Sequence, residues 1–219
     1  MSDVAVLVPW RDGDRHRERI WATIRPWWPW PVVEGSCEGP EWSKGAAVAD
    51  ARARVDAEVL VVADADVWAD DITVAVGNAI AGSPWVVPHS RVHRLSATAT
   101  ATELGWGSAP PPPRRYDQPP YQGVVGGGIV VLRADVWDAC PIDPRFIGWG
   151  QEDESWGLAL TSLFGKPMRL GGNLTHYWHP PQPRQNRRVG SPANWELHRR
   201  YARAARDPEA MRALIAEFH

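Results

Sequence analysis

The sequence predicts an α/β protein with a mostly parallel sheet flanked by helices. Three observations carry this. Short apolar runs recur at VAVLVP (4–9), PVVEG (31–35) and EVLVVA (58–63). Runs of that length, bounded by turn signals, suit strands buried on both faces. Between them lie RHRERIWATI (15–24) and SKGAAVADARARV (43–55), both with helical spacing. This alternation of strand and helix is the pattern of parallel sheets.

The first helix is stopped by Pro26, and Ser43 is placed to cap the second. DDITVAVGNAI (70–80) reads as a helix and WVVP (85–88) as a strand. Residues 105–122, GWGSAPPPPRRYDQPPYQ, hold too much proline for regular structure and read as a functional lid or a mobile loop. GVVGGGIVVLR (123–133) reads as a strand opened by a glycine cluster. QEDESWGLALTSLFG (151–165) reads as a helix with acids in its first turn, where the helix dipole favours them. NLTHYWH (173–179) alternates like a strand. PPQPRQNRRVGSP (180–192) reads as a flexible segment, followed by two helices split at RDPEA (206–210). The predicted organisation is a catalytic domain over 1–181, with a linker and C-terminal helices over 182–219 packed on it.

A chain of 219 residues is long enough for one sizeable core. The formal net charge of −2 provides no overall basic field for nucleic acid or anionic membrane. The two cysteines, Cys37 and Cys140, lie outside any metal-type spacing and read as free thiols or one disulfide. No stretch is apolar over a membrane-spanning length, and the first strand begins too early for a signal peptide, so a cytoplasmic protein is expected. Tryptophan is abundant, with 14 residues including PWWPW at 26–30. Such a surplus serves core packing or the stacking of flat rings and sugar faces.

Chemistry enters at VVADADVWAD (61–70), where an apolar strand ends in Asp64 and Asp66. Ligands of open α/β sheets bind at the carboxyl ends of the strands. Two carboxylates so close share a dry site only with a cation, and oxygen ligands beside phosphates select Mg²⁺ or Mn²⁺. A solvated turn with ordinary surface acids also accounts for this pair taken alone. FIGWGQEDESW (146–156) sets Glu152 and Asp153 at a helix start after a Gly-Trp-Gly loop, with Trp149 exposed between glycines. An acidic helix start explains either acid but not the whole string. THYWHPP (175–181) offers an imidazole to the same metal. His179 is the first choice and His176 the runner-up, because i and i+3 on a strand face opposite sides.

Together these segments resemble the β-1,4-galactosyltransferases. VAVLVPWRDGDRHRERIW resembles their opening, SKGAAVADA their basic residue and small-residue helix, VVADADVW their Asp-x-Asp strand, and GGGIVVLRADVW their Gly-Gly strand and helix. GWGQED resembles their Gly-Trp-Gly-Gly-Glu-Asp, with Gln151 in place of the second glycine, and YWHPP their late metal histidine. The motifs run in the right order from residue 4 to about 181. The resemblance implies a GT-A fold and a metal-dependent transferase using a nucleotide sugar, in a bacterial or phage cytoplasmic form.

It also implies roles. Pro9, Trp10 and Arg11 would contact the nucleotide, with Lys44 on the same donor side. Asp64 would face the ribose or donor sugar, and Gly126, Gly127 and Gly128 would leave it room. Asp66 and His179 would hold Mn²⁺ (or Mg²⁺) against the diphosphate. Asp153 would be the general base, Glu152 would bind the acceptor and Trp149 would stack on a sugar. Related retaining enzymes carry Asn where this chain has Asp153, which favours inversion. The expected donor is a UDP-sugar carrying galactose or a related hexose, and the acceptor a glycan, a protein or a modified nucleobase. A nucleotidyltransferase would show a Gly-rich phosphate loop that VPWRDGDRHR imitates poorly, and a sugar-binding module would not need base, carboxylate pair and histidine together. Arg114, Arg115, Arg184, Arg187 and Arg188 read as solvated loop charges, or as contacts for an anionic acceptor.

Overall fold

The computed structural model describes residues 3–106, 120–180 and 190–219. The sequence expectations for the rest of the 105–122 loop and for Arg114, Arg115, Arg184, Arg187 and Arg188 lie outside these residues. Strands β1 (Val4–Pro9), β2 (Val32–Gly35) and β3 (Val59–Ala63) form where the apolar runs predict them, separated by helices α1 (Arg15–Ile24) and α2 (Lys44–Arg52). Asp14 caps α1 by accepting from His16 N and Arg17 N, and Ser43 caps α2 by accepting from Ala46 N. Beyond β3 come β4 (Val67–Ala69), α3 (Ile72–Ile80), β5 (Trp85–Val87), β6 (Arg91–Arg94) and α4 (Ala97–Glu103). The chain continues through β7 (Ile129–Arg133), α5 (Ala134–Ala139), α6 (Glu152–Phe164), β8 (Met168–Arg169), β9 (Asn173–His176), α7 (Pro192–Ala204) and α8 (Pro208–Ile215).

The main sheet has six strands in the order β2-β1-β3-β7-β5-β8. β1 pairs in parallel with β2 and β3, and β5 with β8, whereas β7 runs antiparallel between β3 and β5. Both faces are covered. On one side Val4, Val6, Val8, Val59 and Val61 pack with Ile20, Trp21, Ile24, Ile72 and Val76. On the other, Ala5, Leu7, Leu60 and Val62 pack with Val48, Val136, Trp156, Tyr201, Met211 and Leu214, so the C-terminal helices share this core. That two-sided burial is why the strands read as unbroken apolar runs rather than alternating ones.

Two boundaries differ from the sequence expectation. The strand expected over 123–133 begins only at Ile129, because Gly126–Gly128 form a turn and Gly128 takes φ 73°. The strand expected over 173–179 stops at His176. β9 is the centre of a second, three-stranded sheet in the order β4-β9-β6, with Val67 opposite His176. The sequence reading contains neither this sheet nor α4. β4 is three residues long, RVHR of β6 is polar, and ATATATE of α4 alternates β-branched threonine with alanine.

Both cysteines are free thiols. Much of the tryptophan is packing: Trp21, Trp28, Trp85, Trp137 and Trp156 are buried. Trp85 donates its indole N–H to Gly165 O and Trp156 to Cys140 O, so the polar end of each ring is satisfied. Among the described residues no helix is long and apolar enough to cross a membrane.

Candidate active site

The carboxyl end of β3 organises the site. β7 runs antiparallel to β3 and starts opposite its last residue, with Ala63 paired to Ile129, so the glycine turn before β7 lands beside Asp64. Asp64 N donates to Gly128 O at 2.9 Å. Beyond Ala63 the chain is no longer a strand, and Asp64 and Asp66 turn to different partners.

Asp66 is almost fully buried, at 3% exposure. Together with His176 and His179 it forms a group whose ligand atoms all lie within 4.8 Å of one another. His179 Nε2 is 3.2 Å from Asp66 Oδ2, and His176 Nε2 is 4.0 Å from Asp66 Oδ1. The strand-parity expectation separated the two histidines; the structure brings both to Asp66. The chain leaves the strand after His176: Tyr177 N donates to Asp66 O and Trp178 N to Thr100 Oγ1, and this bend returns His179 to the same side.

The ring tautomers follow from the neighbours. His176 Nδ1 lies 3.0 Å from Tyr177 O, and His179 Nδ1 lies 2.8 Å from Pro180 O. A carbonyl oxygen only accepts, so both Nδ1 atoms carry the proton, and the Nε2 lone pairs, on the side of Asp66, are left to accept from Arg94 and Arg17. This is the arrangement of histidines prepared for a metal. Two guanidiniums also point here. Arg17 donates to Asp66 Oδ2 at 2.9 Å and lies 3.4 Å from His179 Nε2, and Arg94 lies 3.2 Å from His176 Nε2. Burial pushes the Asp66 carboxyl up, but His176, Arg17 and His179 outweigh it and hold it at about 2. Burial, with Arg94 adding to it against Asp66, depresses His176 to about 4, so its ring is neutral at pH 7.

Arg17 and Arg94 are neighbours of this group that sequence reading missed. A signal for Arg17 exists. Ile20, Trp21 and Ile24 are the buried face of α1, and Arg17 lies one turn before them on that face. Arg94 carries no comparable signal, because β6 itself was not visible.

Asp64 belongs to a second group. Lys44, the first residue of α2 and 8% exposed, places Nζ 2.7 Å from Asp64 Oδ1 and 2.7 Å from Asp153 Oδ1. Glu152 and Asp153 open α6, and Glu152 Oε2 accepts from Gly150 N at 2.8 Å. Burial raises both carboxyls. Glu152 is pushed up to about 7 by burial and by Asp153, against Lys44. Asp153 is raised by burial and Asp64, with Lys44 opposing. Lys44 itself is held well above the usual lysine range, because Asp153, Asp64 and Glu152 overcome its burial.

The glycine turn makes this close assembly possible. A Cβ on Gly126 would overlap Asp153 O and come within 2.9 Å of Gly157 N, so only glycine lets the turn lie on the start of α6. A Cβ on Gly127 would stand 3.0 Å from Asp153 Oδ2. Trp149 is half-buried, not exposed as the sequence reading expected. Asn194 of α7 holds its loop: its side chain accepts from Ile147 N and donates to Ile147 O and Gly150 O. Gln151, where the resembling family carries glycine, takes φ 70°, and its Oε1 accepts from Gly190 N at 2.8 Å.

Pro9, Trp10 and Arg11 lie at the end of the neighbouring strand β1. Trp10 N donates to Gly35 O, its indole N–H donates to Asp12, its ring packs against Trp21, and Arg11 is exposed. The structure thus brings together Lys44, Asp64, Asp153 and Gly127 in one group and Asp66, His176 and His179 in another, joined through the three-residue segment 64–66.

No family model and no curated protein matches the sequence. Solved structures do. GalNAc-T7 with UDP, GalNAc and Mn²⁺ superposes with a TM-score of 0.53 at 13% identity, over 99% of this chain and 49% of that one. Glucosyl-3-phosphoglycerate synthase from Mycobacterium tuberculosis with Mn²⁺, UDP-glucose and phosphoglyceric acid gives 0.47 at 13% identity, over 95% and 79%. A Drosophila β-1,4-galactosyltransferase 7 mutant with manganese, UDP-Gal and xylobiose gives 0.42 at 14% identity, over 77% and 65%. The chain therefore spans about half of the first of these proteins and about two thirds of the last. The likeness to GalNAc-T7 shows the fold, which is of the GT-A type: a mixed α/β sheet flanked by helices.

Proposed function

We propose that this chain is a metal-dependent glycosyltransferase that moves a hexose from a nucleoside diphosphate sugar to an acceptor hydroxyl with inversion. The observation that carries the reading is the pairing of a carboxylate and two imidazoles prepared for a metal with a half-buried Asp153 across the segment 64–66, at the ligand-binding edge of a GT-A fold. The donor set suits Mn²⁺ better than Mg²⁺, since two nitrogen ligands depart from the oxygen cage that Mg²⁺ prefers. When bound by Asp66, His176 and His179, such an ion supplies Lewis-acid stabilisation of the departing diphosphate. Of the similar structures, the GalNAc-T7 complex contains UDP and Mn²⁺, in keeping with a UDP-sugar as donor.

The chain's own residues do the rest. Pro9, Trp10 and Arg11 border the nucleotide, and Asp64 faces the ribose or donor sugar. Glu152 and Trp149 hold the acceptor. Asp153 takes the proton from the acceptor hydroxyl while that oxygen bonds to the anomeric carbon and the bond to phosphate breaks. Attack from the face opposite the leaving group inverts the centre. Two free thiols suit a reducing compartment, and we place the protein in the cytoplasm.

The test has two stages. A panel of nucleotide sugars, scored by thermal shift with and without Mn²⁺, singles out the donor, because ligand binding stabilises the folded state by mass action. Turnover of Asp153→Asn with that donor should then fall by about 10²–10⁴-fold while donor affinity holds. Near-normal turnover would remove Asp153 from the reaction. NMR of the product's anomeric proton reads inversion directly. Tight binding of nucleotide sugars without any turnover would favour a sugar-binding module instead.

A further inference from the structure

The ammonium of Lys44 is 2.7 Å from a carboxylate oxygen on each of two different elements, Asp64 past the end of β3 and Asp153 in the first turn of α6. Its position is tightly held. Ser43, the cap of α2, donates its hydroxyl to Pro144 O, and a Cβ on Gly45 would come within 2.7 Å of Ile142 O, so the helix start is pressed against the segment that leads to Asp153. Lys44 is 8% exposed and has little freedom to turn toward water.

We infer that Lys44 is a positioning residue for Asp153: it fixes the carboxylate's orientation against the donor-side Asp64 and keeps it ionised, hence able to accept a proton. The inference rests on the glycosyltransferase reading for its catalytic meaning but not for its electrostatics. The charged groups acting on Asp153 are Lys44 from α2 and Asp64 from the end of β3; Glu152, its neighbour on α6, is itself raised by Asp153, and the glycine turn contributes no charge. Burial and Asp64 favour a protonated Asp153. Lys44 is the opposing group, and it forms both an ion pair and a hydrogen bond to Asp153. The net effect of burial and Asp64 is to raise the carboxyl, and the adjacent cation limits that rise, so removing it should raise the carboxyl further.

The measurement is the titration of the Asp153 carboxyl carbon by ¹³C NMR in the metal-free protein, assigned by its loss in Asp153→Asn. In Lys44→Met the midpoint should rise by about one pH unit or more, and Lys44→Arg, which keeps the charge, should return most of that shift. With the donor found by the panel, the acid limb of the turnover profile should move upward in the same variant by the same amount. A folded Lys44→Met protein whose Asp153 midpoint and acid limb both stay in place would overturn the inference. Should Lys44→Met fail to fold, Lys44→Gln, uncharged but still a hydrogen-bond donor, makes the same comparison. If the wild type turns over no nucleotide sugar while the Asp153 midpoint still follows Lys44, the electrostatic link stands and only the glycosyltransferase reading falls.

Discussion

Asp66, His176 and His179 show how a site depends on single atoms. Each Nδ1 proton is committed to a backbone carbonyl, leaving Nε2 as the ligand atom, so removing either ring deletes a prepared lone pair. Asp66→Ala is expected to abolish Mn²⁺ binding measured by calorimetry. His176→Ala and His179→Ala should each weaken it by about tenfold or more. Undiminished affinity in His176→Ala would reduce the protein's contribution to two ligands. The sequence reading ranked His179 above His176 because the two face opposite sides of a regular strand. The strand ends at His176, and the bend made by Tyr177 and Trp178 is held by hydrogen bonds to Asp66 and Thr100, more than 70 residues away in the chain. Local periodicity contains no trace of such contacts.

The start of α6 depends on three elements at once: the glycine turn beneath it, α2 beside it and α7 behind its loop. Gly126→Ala would drive a methyl into the Asp153 carbonyl, and overpacking against backbone costs about 1–3 kcal/mol or more. The variant should lose stability in urea and displace the Asp153 side chain, so activity should fall even in protein that remains folded. An unchanged denaturation midpoint would mean that the turn can move away from α6. Asn194→Ala removes one acceptor and two donors from the loop 147–150 and leaves Ile147 and Gly150 backbone groups unsatisfied. The expected cost is about 1–3 kcal/mol, with faster amide exchange confined to Ile147 and its neighbours. Exchange that speeds uniformly across the molecule would instead assign Asn194 a global role. Gln151 lies between these supports in a left-handed conformation that costs a non-glycine residue about 1–2 kcal/mol, offset in part by its bond to Gly190 N.

Across the whole molecule, pH acts through buried imidazoles as well as carboxylates. His89 is 1% exposed and its Nδ1 has no hydrogen-bond partner among the described residues. Burial first, then Arg169, depresses it to about 4 from an ordinary 6.5. Between those values the unfolded chain binds a proton that the folded chain refuses. His89 therefore draws stability out of the fold as pH falls from 6.5 toward 4, and costs nothing well above 6.5. At pH 5 the deficit is about 2 kcal/mol. His176, also depressed, acts in the same direction, and Glu152, raised, in the opposite one, so the informative quantity is a difference. The gap in unfolding free energy between His89→Asn and wild type should change in the variant's favour by about 2 kcal/mol between pH 7 and pH 5. A gap independent of pH would show that His89 does not titrate on unfolding.

The sequence by itself determined the order of the main elements, the parallel pairing suggested by β1, α1, β2, α2 and β3, and the segments that supply the residues of the proposed site. These are local properties: apolar runs buried on both faces, caps such as Ser43, and glycines where backbone must approach backbone. Only the tertiary structure decided that Asp64 and Asp66, one residue apart, serve different partners, that β7 runs antiparallel and carries the glycine turn to Asp64, and that a second sheet delivers His176 to Asp66. Likewise Arg17, Arg94, Lys44 and Asn194 take their roles from neighbours distant in the chain. Their partners are chosen by packing and by the need to compensate buried charge, and both are settled only when the layers close on one another.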